Sequence, residues 1–209
     1  MTYVKATERE GQIVAAAMQV LSEVGVPGTT LRAVAAQAGI PLGTLHYVFP
    51  SKDQLLRAVI ATVISDVVDA VRADLELDRG VAHALRQGVT SFWSKLVESD
   101  TGLQIMQYEL AMYSVRSEGS GGLAQLQYER YTTLVTEFCA QAAEAAGERC
   151  AIDFDSLGRL ALALTDGLIL QYVTSPDPDR ARRDLDRAVD MIVRFADPQP
   201  VGARPRRSG

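Results

Sequence analysis

The sequence predicts an all-α protein of about nine helices, and three observations carry that prediction. Apolar residues recur at three- and four-residue spacings, while no convincing run alternates with the period of a strand. Breaker clusters such as Asp78-Arg79-Gly80, Gly119-Ser120-Gly121-Gly122 and Ser175-Pro176-Asp177-Pro178 divide the chain into segments of helical length. Hydrophobic residues make up 47% of the 209, enough to build a sizeable core.

The first helix is expected to start at Thr7, since Thr7 and Glu10 have the T-x-x-E spacing of a capping box. Ile13, Ala17, Val20, Leu21 and Val24 form its apolar stripe; Gly25 stops it and Pro27-Gly28 makes the turn. A short second helix runs from about Leu31 to Ala38, with Thr30 as N-cap. Its Leu31, Val34, Ala35 and Ala38 fall at i, i+3, i+4 and i+7 on one face, and Gly39 ends it. The third covers about Leu42 to Phe49. The fourth begins at Ser51, where Ser51 and Gln54 make a second capping box. Val59, Val63 and Val67 carry its stripe toward Leu75, a rod of roughly 35 Å that is long enough to join two parts of a molecule. Five further helices are expected near 79–98, 101–117, 121–147, 155–174 and 178–196. After Asp197, three prolines, two glycines and three arginines predict a disordered tail over 198–209.

A formal net charge of −5 argues against a generally polycationic protein but leaves room for a local basic patch. Cys139 and Cys150 lack C-x-x-C spacing, so neither a disulfide framework nor a metal site is expected. The polar start, MTYVKATERE, has no apolar stretch of signal-peptide type, and no apolar run approaches the length of a membrane span. The expectation is a soluble cytoplasmic protein with no cofactor and no membrane association.

The stretch GTLHYVFPSK, residues 43–52, crowds two aromatics and a histidine into a helix too short to be stable alone. On a helical wheel Leu45 and Phe49 point one way, flanked by Leu42 and Val48. Gly43 and Tyr47 point the other, with Thr44 and His46 at the sides. An apolar back that docks on the first two helices leaves a small, polar and aromatic front. Three short helices with a glycine turn between the second and third match a helix-turn-helix, and such a front suits phosphates and base edges in a major groove. Gly43 lets the backbone come close.

The run GTTLRAVAAQAGIPLGTLHYVFPSKDQLL resembles the DNA-binding domain of the TetR/AcrR family of transcriptional regulators over roughly residues 7–57. The features that carry the resemblance are Thr29-Thr30, Ala38-Gly39, Gly43-Thr44-Leu45, the aromatics ending at Phe49, and Ser51-Lys52 followed by Leu55-Leu56. Later in the chain, LALALTDGLILQYVTSPD looks like the family's penultimate helix. The resemblance implies a helix-turn-helix domain over 1–57 and an effector-binding and dimerisation domain over 58–197. It implies that Thr30 and Lys52 bind phosphate and that Tyr47 contacts phosphate or a base. Gly43, Thr44 and His46 would face the groove, and Arg32 would reach a phosphate or a base edge. Three residues depart from the family pattern. Pro41 stands where a serine-type cap is usual, Leu42 where a polar or basic residue is common, and His46 where tyrosine is common. Pro41 preorganises a helix start without capping it, and Leu42 is left with a thymine methyl as its only possible base contact. Charge gives the same sign weakly. Residues 1–57 hold five Lys/Arg against four Asp/Glu, net +1; the remainder holds sixteen against twenty-two, net −6. Modest affinity per subunit implies a homodimer reading two half-sites of a double-stranded operator.

For the larger part, the resemblance implies a cavity for a small, largely apolar effector, with Trp93, Gln104, Tyr108, Met112, Tyr128 and Tyr131 as candidate lining. Leu160, Leu164 and Leu168 with Gly167 on one late helix, and Leu185, Ala188, Val189 and Ile192 on the next, are expected to form a four-helix dimer seam. The function expected is a ligand-responsive transcriptional regulator, most simply a repressor. The alternatives are an all-α enzyme using the same pocket and an adaptor that has lost DNA binding. With two histidines in all and no nucleophile–base or metal-ligand spacing, the sequence offers little for catalysis.

Overall fold

The computed structural model of the chain describes residues 6–116 and 122–202, and every statement below concerns those residues. They form nine α-helices: α1 Ala6–Gly28, α2 Leu31–Gln37, α3 Leu42–Val48, α4 Lys52–Arg72, α5 Val81–Phe92, α6 Thr101–Arg116, α7 Leu123–Ala146, α8 Phe154–Thr174 and α9 Pro178–Ala196. A 3₁₀ turn, Leu77–Arg79, precedes α5, and a π-helical turn, Trp93–Val97, follows it. Two dipeptides pair antiparallel, β1 Glu148–Arg149 with β2 Gln199–Pro200. No described helix is long and apolar enough to cross a membrane.

Packing divides the chain into two compact units, residues 1–66 with 100–128, and residues 67–99 with 129–209. In the first unit α1 packs on α2 and α6, and α2 on α3. Ile13, Ala17, Leu21, Val34 and Leu45 are buried in it, as the apolar stripes require. Gly25 breaks α1 as expected. Its φ of 67° is left-handed, and a last turn, Val26 to Gly28, follows the kink. Thr29 closes that turn, its amide and its hydroxyl both donating to the Gly25 carbonyl at 3.2 and 2.7 Å. Thr30 caps α2 by accepting the Ala33 N–H at 3.1 Å. At the far end Gly39, with φ 65°, donates to Ala36 O while Ile40 donates to Ala35 O. That paired bonding, with Ile40 buried, is a Schellman stop, and it turns the chain into α3. Ser51 caps α4 by accepting the Gln54 N–H at 3.2 Å.

The second unit is built on Val67, Val71, Val81, Leu85, Phe138, Leu157 and their buried neighbours, with Ile192 and Ala196 of α9 among them. Here α9 packs on α5 and α8. Glu148 accepts the Val81 N–H at 2.9 Å, which caps α5 where Gly80 cannot.

Four expectations are corrected. Thr7 lies inside α1, which already includes Ala6; a capping side chain acts only from an extended residue outside its helix, so the Thr7–Glu10 spacing is not used as a box. The fifth helix ends at Phe92, and Trp93–Val97 widens into a π turn. The start of the expected tail is held: besides the β1–β2 pair, Val201 N donates to Gly147 O at 2.7 Å. Polar composition does not prevent a few residues from being fixed by backbone bonds that sequence cannot show. The arginines Arg204, Arg206 and Arg207 lie outside the described residues. Finally, Leu185, Val189 and Ile192 of α9 close the subunit's own core and are not free for a seam.

Candidate functional site

The front of α3 is laid out as the helical wheel requires. Leu45 is wholly buried and Phe49 nearly so, while Tyr47 on the opposite side is 89% exposed. Gly43 and His46 are exposed, and Leu42 and Thr44 half-buried at the flanks. A Cβ built on Gly43 meets nothing within 4 Å, so that side of α3 is open to an incoming surface. Pro41 sits at the N-cap with φ −61° and ψ 141° and no side-chain bond, as its chemistry dictates. Thr30 and Arg32 are exposed at the start of α2.

Lys52 differs from these. It is the first residue of α4 and half-buried; its ammonium donates to the Val26 carbonyl at 2.6 Å and lies 5.6 Å from the centre of the Tyr113 ring. The Val26 N–H in turn donates to Glu109 Oε2 of α6 at 3.0 Å.

The six candidate effector residues are distributed between the two units. Gln104, Tyr108, Met112 and Tyr128 belong to the first; Trp93 and Tyr131 belong to the second. Trp93 and Gln104 are buried, Tyr108 and Tyr131 half-buried, and Met112 and Tyr128 exposed in the subunit. Trp93 packs edge-on against Tyr172 with ring centres 5.5 Å apart, and its indole N–H donates to Glu98 Oε1 at 3.2 Å. The π turn makes that bond possible. In an α-helix residue i+5 stands about 140° round the axis from residue i; the wider turn brings Glu98 over Trp93. Arg182 of α9 holds the same carboxylate through both oxygens, at 3.0 and 2.9 Å.

Sequence reasoning singled out Gln104 but missed Gln107 and Gln127. They are buried in the first unit, with Gln127 Nε2 donating to Gln107 Oε1 at 3.1 Å. Gln127 Oε1 finds no partner among the described residues. The available signal was the polar pair at i, i+3 on α6, Gln104 and Gln107, where an apolar stripe would be interrupted. Tyr172 and Glu98 were also missed, because only the fold brings α8 to Trp93 and only the π turn that starts at Trp93 carries Glu98 to its indole N–H.

Two family models match the chain. That of bacterial regulatory proteins of the tetR family covers residues 13–59, and that of the BetI-type transcriptional repressor C-terminal region covers residues 81–194. The transcriptional regulator BetI of Burkholderia cenocepacia is 31% identical over 185 residues, 88% of this chain and 92% of its own. The nicotine-responsive transcriptional repressor HdnoR of Paenarthrobacter nicotinovorans is 24% identical over 190 residues, 91% of this chain and 96% of its own. Among solved structures, a putative TetR-family transcriptional regulator from Rhodococcus sp. superposes with a TM-score of 0.76 at 19% identity, over 89% of this chain and 98% of its own. A helix-turn-helix with an exposed aromatic front thus stands in a chain matched along most of its length by such regulators, and the chain belongs to the TetR family, as a DNA-binding transcriptional repressor with a BetI-type C-terminal region.

Proposed function

We propose that the protein acts in the cytoplasm as a homodimer that holds a palindromic operator through α3 of each subunit and is released by a small, largely apolar effector. The observation that carries this reading is the two-sidedness of α3. A tyrosine 89% exposed stands opposite a leucine with no exposed surface, on a helix whose only packed side faces its own unit. A solvent-facing aromatic with glycine and histidine beside it has no packing reason to be there. It has a recognition reason, since phosphates and base edges meet such groups in a major groove. On this reading Gly43, Thr44, His46 and Tyr47 face the groove, Leu42 meets a thymine methyl, and Thr30 and Arg32 meet the backbone.

Residues 58–197 bind the effector and form the dimer. Trp93, Gln104, Tyr108, Met112, Tyr128 and Tyr131 remain our candidates for the cavity, supported by the aromatic and amide character of that set. The relative HdnoR is named as nicotine-responsive, and nicotine is a small molecule that is mostly hydrocarbon. For the dimer, the support is apolar surface left bare on two helices that pack together: Leu160, Gly167 and Leu170 on α8, Met191 and Phe195 on α9. A ligand that binds one arrangement of the dimer better than the other changes the separation of the two reading helices and so releases DNA.

A mobility-shift titration with DNA flanking the protein's own gene tests this. Specific retardation, abolished by Tyr47→Ala, is expected; retardation no stronger than that of unrelated DNA sinks the operator reading. A releasing ligand should also shift the fluorescence of Trp93, the single tryptophan. Release with unchanged fluorescence moves the effector site away from that residue.

A further inference from the structure

Base edges carry the sequence information of a major groove, and few kinds of side chain read them through paired bonds. Arg and Lys pair with guanine, Asn and Gln with adenine. α3, which reads LGTLHYV, carries none of the four. We propose that this chain selects its operator through thymine C5-methyl groups, which Leu42 and Thr44 meet on either side of Gly43, and not through bidentate bonds to guanine or adenine. The inference rests on the operator reading above and names the bases that α3 requires.

The layout of the front supports it. At about 100° per residue, the arc facing away from buried Leu45 runs Leu42, His46, Gly43, Tyr47, Thr44. Leu42 and Thr44 bound the arc, both half-buried, and exposed Gly43 stands at its centre. Leu42 offers only hydrocarbon. Thr44 offers a methyl and one hydroxyl, which match the methyl and the O4 acceptor of a thymine edge. His46 and Tyr47 bring single hydrogen bonds, which discriminate less than a bidentate pair.

Side chains this short reach a base only if the helix lies deep in the groove. Apolar contact needs heavy atoms within about 4.5 Å, whereas an arginine reads from the end of a long stem. Gly43 permits that depth. A Cβ built on it meets nothing within 4 Å, so packing does not require glycine there. Nor does the backbone, since Gly43 is not among the residues with positive φ. A glycine inside a helix costs stability relative to alanine, and close approach of a base is what offsets the cost.

The cations beside α3 lie outside it. Arg32 is exposed on α2. Lys52 opens α4, and its ammonium donates to Val26 O while keeping two further N–H donors. Both suit phosphates, which hold the helix in the groove without reading sequence.

The test uses the full-length protein and duplexes that it enriches from a random-sequence pool. Each thymine of the enriched half-site is replaced in turn by uracil, which keeps the pairing and O4 and loses only the methyl. Under Leu42 and under Thr44, uracil should weaken binding about fourfold, the worth of one buried methyl, and about fifteenfold when both half-sites are substituted. In Leu42→Ala the thymine-to-uracil affinity ratio should fall to about one at one position, and in Thr44→Ser, which keeps the hydroxyl, at another. Thr44→Val, which keeps a methyl, should retain the ratio. Each ratio is taken within one variant, so a general loss from imperfect folding cancels. Gly43→Ala should melt no lower than wild type yet lose affinity for the enriched duplex. Purines replaced by 7-deaza analogues, which lack the N7 acceptor, should change binding by less than about twofold. Uracil without effect at every thymine overturns the proposal, as does Gly43→Ala with wild-type affinity. A loss of about tenfold or more on a 7-deaza substitution also overturns it and makes Arg32 the base reader. A pool that enriches no sequence refutes the operator reading itself; an enriched sequence indifferent to uracil refutes only the inference drawn from Leu42 and Thr44.

Discussion

Single residues in this protein are sorted by which side of a helix they occupy. Leu45 and Tyr47 are two positions apart on α3, and one is fully buried while the other is 89% exposed. Leu45→Ala should cost about 2–5 kcal/mol, the range for emptying a leucine site in a core, and should lower the melting temperature. Tyr47→Ala should leave the melting temperature within a degree or so while weakening operator binding by about tenfold or more. Measuring both quantities on both variants checks the orientation; an inverted pattern means that the reading face is misassigned. The two thiols are a second case. Burial pushes Cys139 up to about 12, with Cys150 adding to it. Burial and then the Glu148 and Asp197 carboxylates push Cys150 up to about 11. Both are protonated at neutral pH, so iodoacetamide should label the native protein slowly and the urea-unfolded protein much faster. Rapid native labelling at pH 7 would contradict this.

At the scale of elements, ends decide more than interiors. Asp153 caps α8 by accepting the Ser156 N–H at 2.7 Å, and those bonds hold its carboxyl below the ordinary value of 3.8. A carboxyl whose folded pKa is depressed adds stability above its unfolded pKa and loses it as pH falls through the folded value. Asp153→Ala should therefore melt lower than wild type at pH 7, and the gap should narrow as the pH drops below 3.8. A gap that is constant with pH would mean that the cap contributes through shape and not charge. Caps of this kind were legible where they are local: Thr30 and Ser51 precede their helices and each accepts an amide three residues on. The α5 cap was not legible, because Glu148 lies 67 residues away in sequence. Nor was the π turn, since Trp93-Ser94-Lys95-Leu96-Val97 has ordinary helical composition and the wider turn is stabilised by the indole bond to Glu98.

For the whole molecule, the stripe that looked like a dimer seam on α9 is internal. Ile192 is 5% exposed within the second unit's core, whereas Phe195 is 56% exposed. Ile192→Asp buries an unpaired charge and should cost several kcal/mol, unfolding the subunit. Phe195→Glu should leave a folded subunit that sediments as a monomer and binds the operator weakly, because one half-site supplies only part of the affinity. Sedimentation and melting of the two variants separate the cases; a dimeric Phe195→Glu protein would place the interface elsewhere. An apolar stripe reads the same in sequence whether its own chain or a second copy covers it, so periodicity alone could not choose.

The sequence by itself determined the helical class, the nine segments to within a few residues save the end of α5, the helix-turn-helix and the direction of α3. These rest on local physics: the 3.6-residue period of Leu45 and Phe49 against Gly43 and Tyr47, the left-handed glycine at Gly39, and hydroxyl caps three residues from the amides they accept. Only the tertiary structure decided the partners of Lys52, the cap of α5, the Trp93–Tyr172 contact, the buried Gln107–Gln127 pair and the pairing of Gln199–Pro200 with Glu148–Arg149. Each of these joins residues far apart in the chain. A long side chain such as Lys52 carries several possible bonds, and which one forms depends on the groups that folding brings within about 3 Å of its end.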